Sequence, residues 1–292
     1  MIRRLLAQNA LCFIDAMLTK IIWYLSLVAV TLVLVIPKYR SKLRYFLSFI
    51  LYGIVMVVGS AIYLVRFMFK GPSYSNSCDF TTVFRCCRWC MGLQPRIYGL
   101  DTYDDKQQYI FVINHQSFID VLSLCDLWRE PSSVIAKEVL RYFGPVGLIM
   151  HYCKMIFIRR SNHEKALEVM REAAELVKRD KINLFMFPEG TRCNTGRLMP
   201  FKKGAFHLAI QTQIPIQPIV ISCYNKFLNH SERLYSPVPY GVYLLPPIQT
   251  KGLKEDQANS LMERTYAAMK PIFDLTAAAS PEELGSDLRK KL

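Results

Sequence analysis

The sequence of 292 residues is poor in acidic side chains, and it contains no internal repeat and no low-complexity tract. It has 23 Asp and Glu against 37 Lys and Arg, a net charge of +14, and 52% of its residues are hydrophobic. Its mean hydropathy of +0.16 excludes a mainly disordered chain, because such chains lack the apolar surface that offsets the entropy of ordering. A chain both basic and apolar is expected beside a membrane, facing anionic lipid or an acidic substrate.

Several patterns of metal-binding and catalytic chemistry are also missing. Cys87 and Cys90 form one C-x-x-C pair, but no second pair stands at zinc-finger spacing, so we expect no metal. The nine cysteines are odd in number and spread along a long chain, unlike those of a disulfide-stapled module. No G-x-S-x-G motif is present, which argues against a serine nucleophile and a covalent intermediate.

The apolar residues concentrate in two uncharged runs, 21–37 and 45–65. As helices they would measure about 26 and 32 Å, close to the thickness of the hydrocarbon layer of a bilayer. Buried core helices and a signal peptide are the alternatives. Uncharged runs this long are rare in soluble cores, and no small-x-small cleavage site follows the first run. We therefore predict a two-helix membrane anchor over residues 1–72.

The anchor is also strongly basic, since nine Lys and Arg against one acid, Asp15, give residues 1–72 a net charge of +8. Four of these bases lie in the link 38–44 between the two runs. If the runs span the membrane, the positive-inside rule predicts a cytoplasmic link. Two helices that dip into one leaflet satisfy the same pattern, so both arrangements stay open.

Residues 73–292 have a different pattern, in which short β-rich runs alternate with helical ones. The predicted strands are 109–114, 133–136, 155–159, 183–187, 216–222 and 241–245. An amphipathic helix lies between the third and fourth strands, and Ser161-x-x-Glu164 provides a capping box at its start. This alternation predicts one α/β domain with a mixed sheet flanked by helices.

Two motifs follow predicted strands and carry recognisable chemistry. His115 ends the first strand, and Asp120, five residues later, can reach back to its Nδ1 and orient the imidazole as a general base. An isolated pair of this kind is more often a structural hydrogen bond. The second motif is the turn FPEGTR at 187–192, whose N–H groups and Arg192 suit a phosphate. Lys137 and Arg160 also end strands, where ligands collect in α/β sheets.

The order and spacing of five segments resemble the four acyltransferase blocks of the 1-acyl-sn-glycerol-3-phosphate acyltransferases. The segments are NHQSFID (114–120), AKEVLRYFGPVGLIM (136–150), FIRR (157–160), FPEGTR (187–192) and IPIQPIV (214–220). The resemblance implies a glycerolipid acyltransferase-like fold and transfer of an acyl chain from acyl-CoA to the sn-2 hydroxyl of lysophosphatidic acid. It also implies a location in the endoplasmic reticulum membrane and no cofactor beyond the acyl-CoA co-substrate.

The resemblance also implies roles for individual residues. His115 would be the base and Asp120 its orienting partner, while Pro218 would help to shape the acyl-binding side. The residues implied to bind the lysolipid phosphate are Lys137, Arg160, Glu189, Gly190, Thr191 and Arg192. The sequence departs from the family pattern at Phe118, which leaves His115 and Asp120 untouched, and at Cys153-Lys154, which leaves the pocket geometry and the chain-length preference undefined.

Three other functions are compatible with parts of the sequence. A sister acyltransferase of the same superfamily would use another lysophospholipid or glycerol-3-phosphate as acceptor. A catalytically inactive scaffold would only shape the membrane through its anchor. A nucleic-acid binder is suggested only by the sequence pI of about 9.4, and no recognised motif supports it. Asn229 begins a glycosylation sequon, which requires a lumenal loop.

Overall fold

The computed structural model describes residues 36–158 and 163–291, together with Tyr24. Apart from Tyr24, Ile36 and Pro37, the first apolar run lies outside the described residues, so the first helix of the predicted anchor stays a prediction. Ser161 of the predicted capping box lies outside them as well. The helix that follows is present, and it runs over His163–Arg179.

The second apolar run belongs to a helix of 34 residues, α1 (Pro37–Lys70). The basic segment 38–44, which was expected to link two helices, forms the first two turns of this helix. Pro37 occupies the first helical position, which suits its ring, and no other proline lies within the helix. Gly71, at φ 79°, ends it. By length and composition alone, α1 is capable of crossing a membrane.

One side of α1 packs against the rest of the protein along most of its length. Near its start the Ser41 hydroxyl accepts a hydrogen bond from the N–H of Tyr235, and near its end Lys70 pairs with Asp79. The opposite side exposes apolar residues, among them Phe46, Leu47, Ile50, Ile54, Val58, Ile62, Val65 and Phe69. The helix therefore presents one face to the domain and an apolar face outward.

Seven strands form a mixed sheet in the order β1-β9-β6-β2-β5-β3-β4. All neighbours pair parallel except β6 and β9. The strands are β1 (Gln94–Tyr98), β2 (Ile110–Ile113), β3 (Ser132–Lys137), β4 (Ile156–Ile158), β5 (Asn183–Met186), β6 (Ile216–Ile221) and β9 (Pro239–Leu244). A separate hairpin joins β7 (Leu228–Asn229) to β8 (Leu234–Tyr235).

Helices cover the sheet, and they fall into two groups by their contacts. The members are α2 (Ser75–Met91), α3 (Asp120–Leu124), α4 (Gly144–Tyr152), α5 (His163–Arg179), α6 (Gly204–Thr212) and α7 (Ala258–Ala278). Helix α6 contacts α5 and α7, whereas α2 contacts α1 and α3. The predicted mixed sheet flanked by helices is therefore confirmed.

All six predicted strands are present, but β1 and the β7–β8 hairpin were not predicted. Strand β1 contains Pro95 and has no fully buried residue. It lies at the edge of the sheet, where proline is tolerated, and among the described residues it pairs only with β9. Its sequence therefore lacks the apolar run that marks the buried strands.

The close packing of α1 on α2 depends on Gly59. A Cβ atom at this position would lie 2.7 Å from Cγ1 of Val83, whereas a Cβ at Gly53, on the same helix, would meet nothing within 4 Å. We expect Gly59→Ala to lower the free energy of unfolding by about 1 kcal/mol, because overpacking outweighs the gain in helix propensity. Gly53→Ala is the matched control and should raise it slightly. Thermal unfolding in detergent measures both, and a stabilised Gly59→Ala variant would contradict this packing.

Candidate active site

The two sequence motifs meet because they follow neighbouring parallel strands. Strand β2 pairs with β5, so the chain leaves both strands at the same edge of the sheet. There the N–H of His115 donates to Oε1 of Glu189 at 2.6 Å, and the N–H of Cys193 donates to the carbonyl of His115 at 2.9 Å. The sheet thus places the His115 turn and the 187–192 loop in direct contact.

His115 and Asp120 form the expected pair. Nδ1 of His115 lies 2.7 Å from Oδ2 of Asp120, whose carboxylate also accepts the N–H groups of Gln116 at 2.8 Å and Ser117 at 3.1 Å. Asp120 is 1% exposed and is the first residue of α3, where a carboxylate is favoured by the helix dipole. The ring of Phe187 stacks on the imidazole at 4.1 Å. When the Nδ1–H group donates to Asp120, Nε2 of the imidazole is free to accept a proton.

Glu189 is buried behind this pair and does not face an open surface. Its side chain is 4% exposed and accepts the N–H groups of His115 and, at 3.3 Å, Met199. Burial raises its pKa from 4.5 to about 7, the two N–H groups act in the opposite direction, and the charge of Asp120 adds to the rise. These contacts hold the loop in place, and they differ from the phosphate contact that the sequence suggested for Glu189.

The rest of the loop turns outward at Gly190. Its φ of 70° favours glycine, and a Cβ here would lie 2.9 Å from Nζ of Lys202. Thr191 and Arg192 follow and are exposed, with the Arg192 guanidinium 6.0 Å from the centre of the Phe118 ring. Lys202, which the sequence interpretation did not select, therefore adds a second cation at this turn.

Arg192 lines a cavity of about 550 Å³ beside the His115 turn. His230, which sequence reasoning did not select, also lines it: Nε2 lies 3.2 Å from the Ser117 hydroxyl and Nδ1 lies 3.1 Å from the Tyr45 hydroxyl of α1. Burial and the charge of Arg192 lower the pKa of His230, which favours the neutral ring. Polar residues supply much of the remaining wall, including Asn194, Thr195, Asn225 and Asn229.

Two other predicted site residues, Lys137 and Pro218, lie farther from the pair. Lys137 is exposed at the carboxyl end of β3, two strands from β2 and thus about 10 Å away across the sheet. Pro218 is buried within β6, opposite Val112 of β2. Arg160 lies outside the described residues, so its place in the site stays a prediction.

The raised pKa of Glu189 predicts a pH-dependent difference in stability. Between pH 4.5 and about 7 the folded protein keeps the proton that the unfolded chain loses, so the contribution of Glu189 to stability falls as the pH rises. Glu189→Gln removes this titration. We therefore expect the free energy of unfolding of the variant, relative to that of wild type, to rise on the order of 3 kcal/mol between pH 4 and pH 8.

Thermal unfolding of both proteins across this pH range measures the difference. Glu255→Gln, at an exposed position, is the control and should follow the wild type at every pH. Parallel curves for Glu189→Gln and wild type would show that the buried carboxyl does not titrate in this range.

Comparison with known proteins identifies relatives of this chain in sequence and in fold. A family model described as Acyltransferase matches residues 94–222. The human 1-acyl-sn-glycerol-3-phosphate acyltransferase alpha is 33% identical over 236 residues, which cover 81% of this chain and 81% of the relative. The human beta enzyme is 33% identical over 232 residues, or 80% of this chain and 82% of the relative.

A solved structure shows the same fold. The 1-acyl-sn-glycerophosphate (LPA) acyltransferase PlsC from Thermotoga maritima superposes with a TM-score of 0.68 at 21% identity. The match covers 84% of this chain and 99% of the bacterial one. The identity to the human proteins over most of both chains confirms the resemblance of the sequence motifs, and the chain belongs to the 1-acyl-sn-glycerol-3-phosphate acyltransferase family.

Proposed function

We propose that this protein transfers an acyl chain from acyl-CoA to the sn-2 hydroxyl of lysophosphatidic acid, which yields phosphatidic acid. The observation that carries the proposal is the 2.7 Å contact between His115 and Asp120 beside the 187–192 loop. The relatives named 1-acyl-sn-glycerol-3-phosphate acyltransferases support the choice of acceptor. We place this reaction in phospholipid and triacylglycerol biosynthesis, as the resemblance of the sequence to the family implies.

In this mechanism His115 acts as a general base. Nε2 takes the proton from the acceptor hydroxyl as its oxygen attacks the thioester carbonyl, and Asp120 stabilises the resulting imidazolium. The tetrahedral oxyanion then collapses, the carbon–sulfur bond breaks, and the imidazolium returns its proton to the departing CoA thiolate. A new ester and free CoA are formed without a covalent acyl-enzyme, and the step requires no metal.

The phosphate of the acceptor binds to the cations around the 187–192 loop in this proposal. Arg192 supplies a planar fork suited to a phosphomonoester, Lys137 and Arg160 supply further charge, and Thr191 supplies a hydroxyl. Glu189 does not bind the phosphate in this proposal, because a buried carboxylate would repel it. It holds the loop against the N–H of His115 and so keeps the phosphate and the base at a fixed separation.

The acyl chains approach from the membrane in this proposal. The apolar outer face of α1 suits contact with lipid, and its inner face reaches the site, where the ring centroid of Phe49 lies 5.2 Å from that of Phe118. The resemblance to the family adds a location in the endoplasmic reticulum membrane. Pro218 lies on the acyl side of the site in this arrangement.

Removal of the base should abolish most of the activity. We expect His115→Ala to lower kcat by about 10²- to 10⁴-fold, because proton transfer by a placed side chain contributes that much. His207→Ala, at an exposed position on α6, is the control and should keep wild-type activity. CoA release with acyl-CoA and lysophosphatidic acid measures both. Near-normal turnover by a folded His115→Ala variant would rule out this base.

Removal of the Arg192 guanidinium should slow acyl transfer only to acceptors that carry a phosphate. We expect Arg192→Ala to lower kcat/KM for lysophosphatidic acid by about 10- to 100-fold, the value of a charge-assisted hydrogen bond, and to leave a monoacylglycerol unaffected. Arg197→Ala, which changes an exposed arginine farther along the chain, is the matched control. Measurement of kcat/KM with both acceptors tests this difference. Equal losses on lysophosphatidic acid and on the monoacylglycerol would show that Arg192 does not bind the phosphate.

A further inference from the structure

His230 lies beside the proposed phosphate site, in the hairpin that joins β7 to β8. Its half-buried ring lines the same cavity as Arg192. The two side chains share a neighbour, because the centre of the Phe118 ring lies 6.2 Å from the centre of the His230 ring and 6.0 Å from Cζ of Arg192. A phosphate held by Arg192 in this cavity is therefore within electrostatic reach of His230.

Both ring nitrogens of His230 contact hydroxyl groups, and this allows the ring to change its charge. Nε2 lies 3.2 Å from Oγ of Ser117, and Nδ1 lies 3.1 Å from the hydroxyl of Tyr45 on α1. A neutral ring has one N–H donor and one acceptor, whereas a protonated ring has two donors. A hydroxyl group can either donate or accept, so both contacts persist in either state. An N–H partner in the same place would oppose protonation.

Protonation of His230 also leaves the Ser117 hydroxyl free to donate. When Nε2–H donates to Oγ, the hydroxyl proton of Ser117 needs another acceptor, and Ser117 lines the cavity. The backbone N–H of Ser117 donates to the Asp120 carboxylate at 3.1 Å, which fixes the position of this residue. The protonated ring thus supplies a charge and, through Ser117, a hydroxyl donor in the wall of the same cavity.

The charges around His230 decide when it becomes protonated. The titratable and charged groups around it are Arg192, Asp120, Tyr45 of α1 and, on its own hairpin, Glu232 and Arg233. Burial and the charge of Arg192 lower the pKa of His230, and the charge of Asp120 acts in the opposite direction. A phosphate dianion bound to Arg192 offsets the positive charge, so its binding favours the imidazolium.

We propose that His230 is a specificity-determining residue of the acceptor site, which takes up a proton when a phosphate dianion occupies the cavity and then supplies a further positive charge beside Arg192. This rests on the proposed function, in which a phosphate-bearing acceptor occupies that cavity. The proton comes from solvent and returns to it when the product leaves, so the acyl transfer itself is unchanged. An acceptor without a phosphate does not favour protonation, and the gain in binding is confined to charged acceptors.

The first test is the pH dependence of the loss caused by His230→Gln, whose amide keeps hydrogen-bonding groups but gains no charge. We expect kcat/KM for lysophosphatidic acid to fall about 10-fold at pH 6 with little change in kcat, because each unit by which the phosphate raises the pKa of His230 gives up to about a tenfold gain in binding. The ratio of wild type to variant should approach 1 at pH 9, where the occupied site no longer holds the proton. With a monoacylglycerol the two proteins should be equal at both pH values.

His207→Gln, at an exposed position on α6, is the matched control and should equal wild type with both acceptors. A ratio that stays constant between pH 6 and pH 9 would show that His230 is only a neutral contact between α1 and the His115 turn. An equal loss on the monoacylglycerol would show the same. Either result overturns the proposal.

A second measurement uses the wild-type protein without acyl-CoA. Hydrogen–deuterium exchange at the C2 carbon of histidine, followed by peptide mass spectrometry across a range of pH, reports the pKa of each imidazole, with His207 as internal reference. Lysophosphatidic acid should raise the pKa of His230 by about one unit or more, and a monoacylglycerol should leave it in place. An unchanged pKa with lysophosphatidic acid bound overturns the proposal, whether or not His230→Gln folds.

The two proposals fail in different ways. A wild-type protein that transfers no acyl chain to lysophosphatidic acid would refute the proposed acceptor. A protein that acylates lysophosphatidic acid while the pKa of His230 stays unchanged would refute only the role of His230.

Discussion

Parallel pairing of β2 with both β5 and β6 is the constraint on which the site depends. All three strands end at one edge of the sheet, so the loops that follow them converge there. The convergence is reinforced by Asn114, whose side-chain amide exchanges hydrogen bonds with the N–H and the carbonyl of Ile221 at 2.7 and 3.0 Å. This pairing brings the His115 turn into contact with the 187–192 loop and with the end of β6, which are both far from it in sequence.

Two buried carboxylates share this small volume, and backbone N–H groups make that possible. Asp120 accepts the N–H groups of two residues in its own turn, and Glu189 accepts those of His115 and Met199. An isolated buried carboxylate is costly, so each is stable only in a well-defined loop conformation. The same hydrogen bonds therefore make the carboxylates tolerable in the interior and fix the geometry of the pair.

Helix α1 connects this centre to the apolar outer surface. Tyr45 reaches His230, which in turn contacts Ser117, the residue whose N–H binds Asp120. Phe49 packs on Phe118 in the same turn. An apolar face suited to lipid and the His115 turn therefore belong to one continuous packed structure.

The sequence by itself determined the strands that carry apolar runs, the membership of the family and the residues of the pair, because these follow from local periodicity and short motifs. It did not determine strand β1, which lacks an apolar run, or the helical form of the basic segment 38–44. Tertiary structure alone decided the contacts of Glu189, Gln116 and His230. Their contacts join residues 74 to 113 positions apart, and only the order of strands in the sheet brings such residues together.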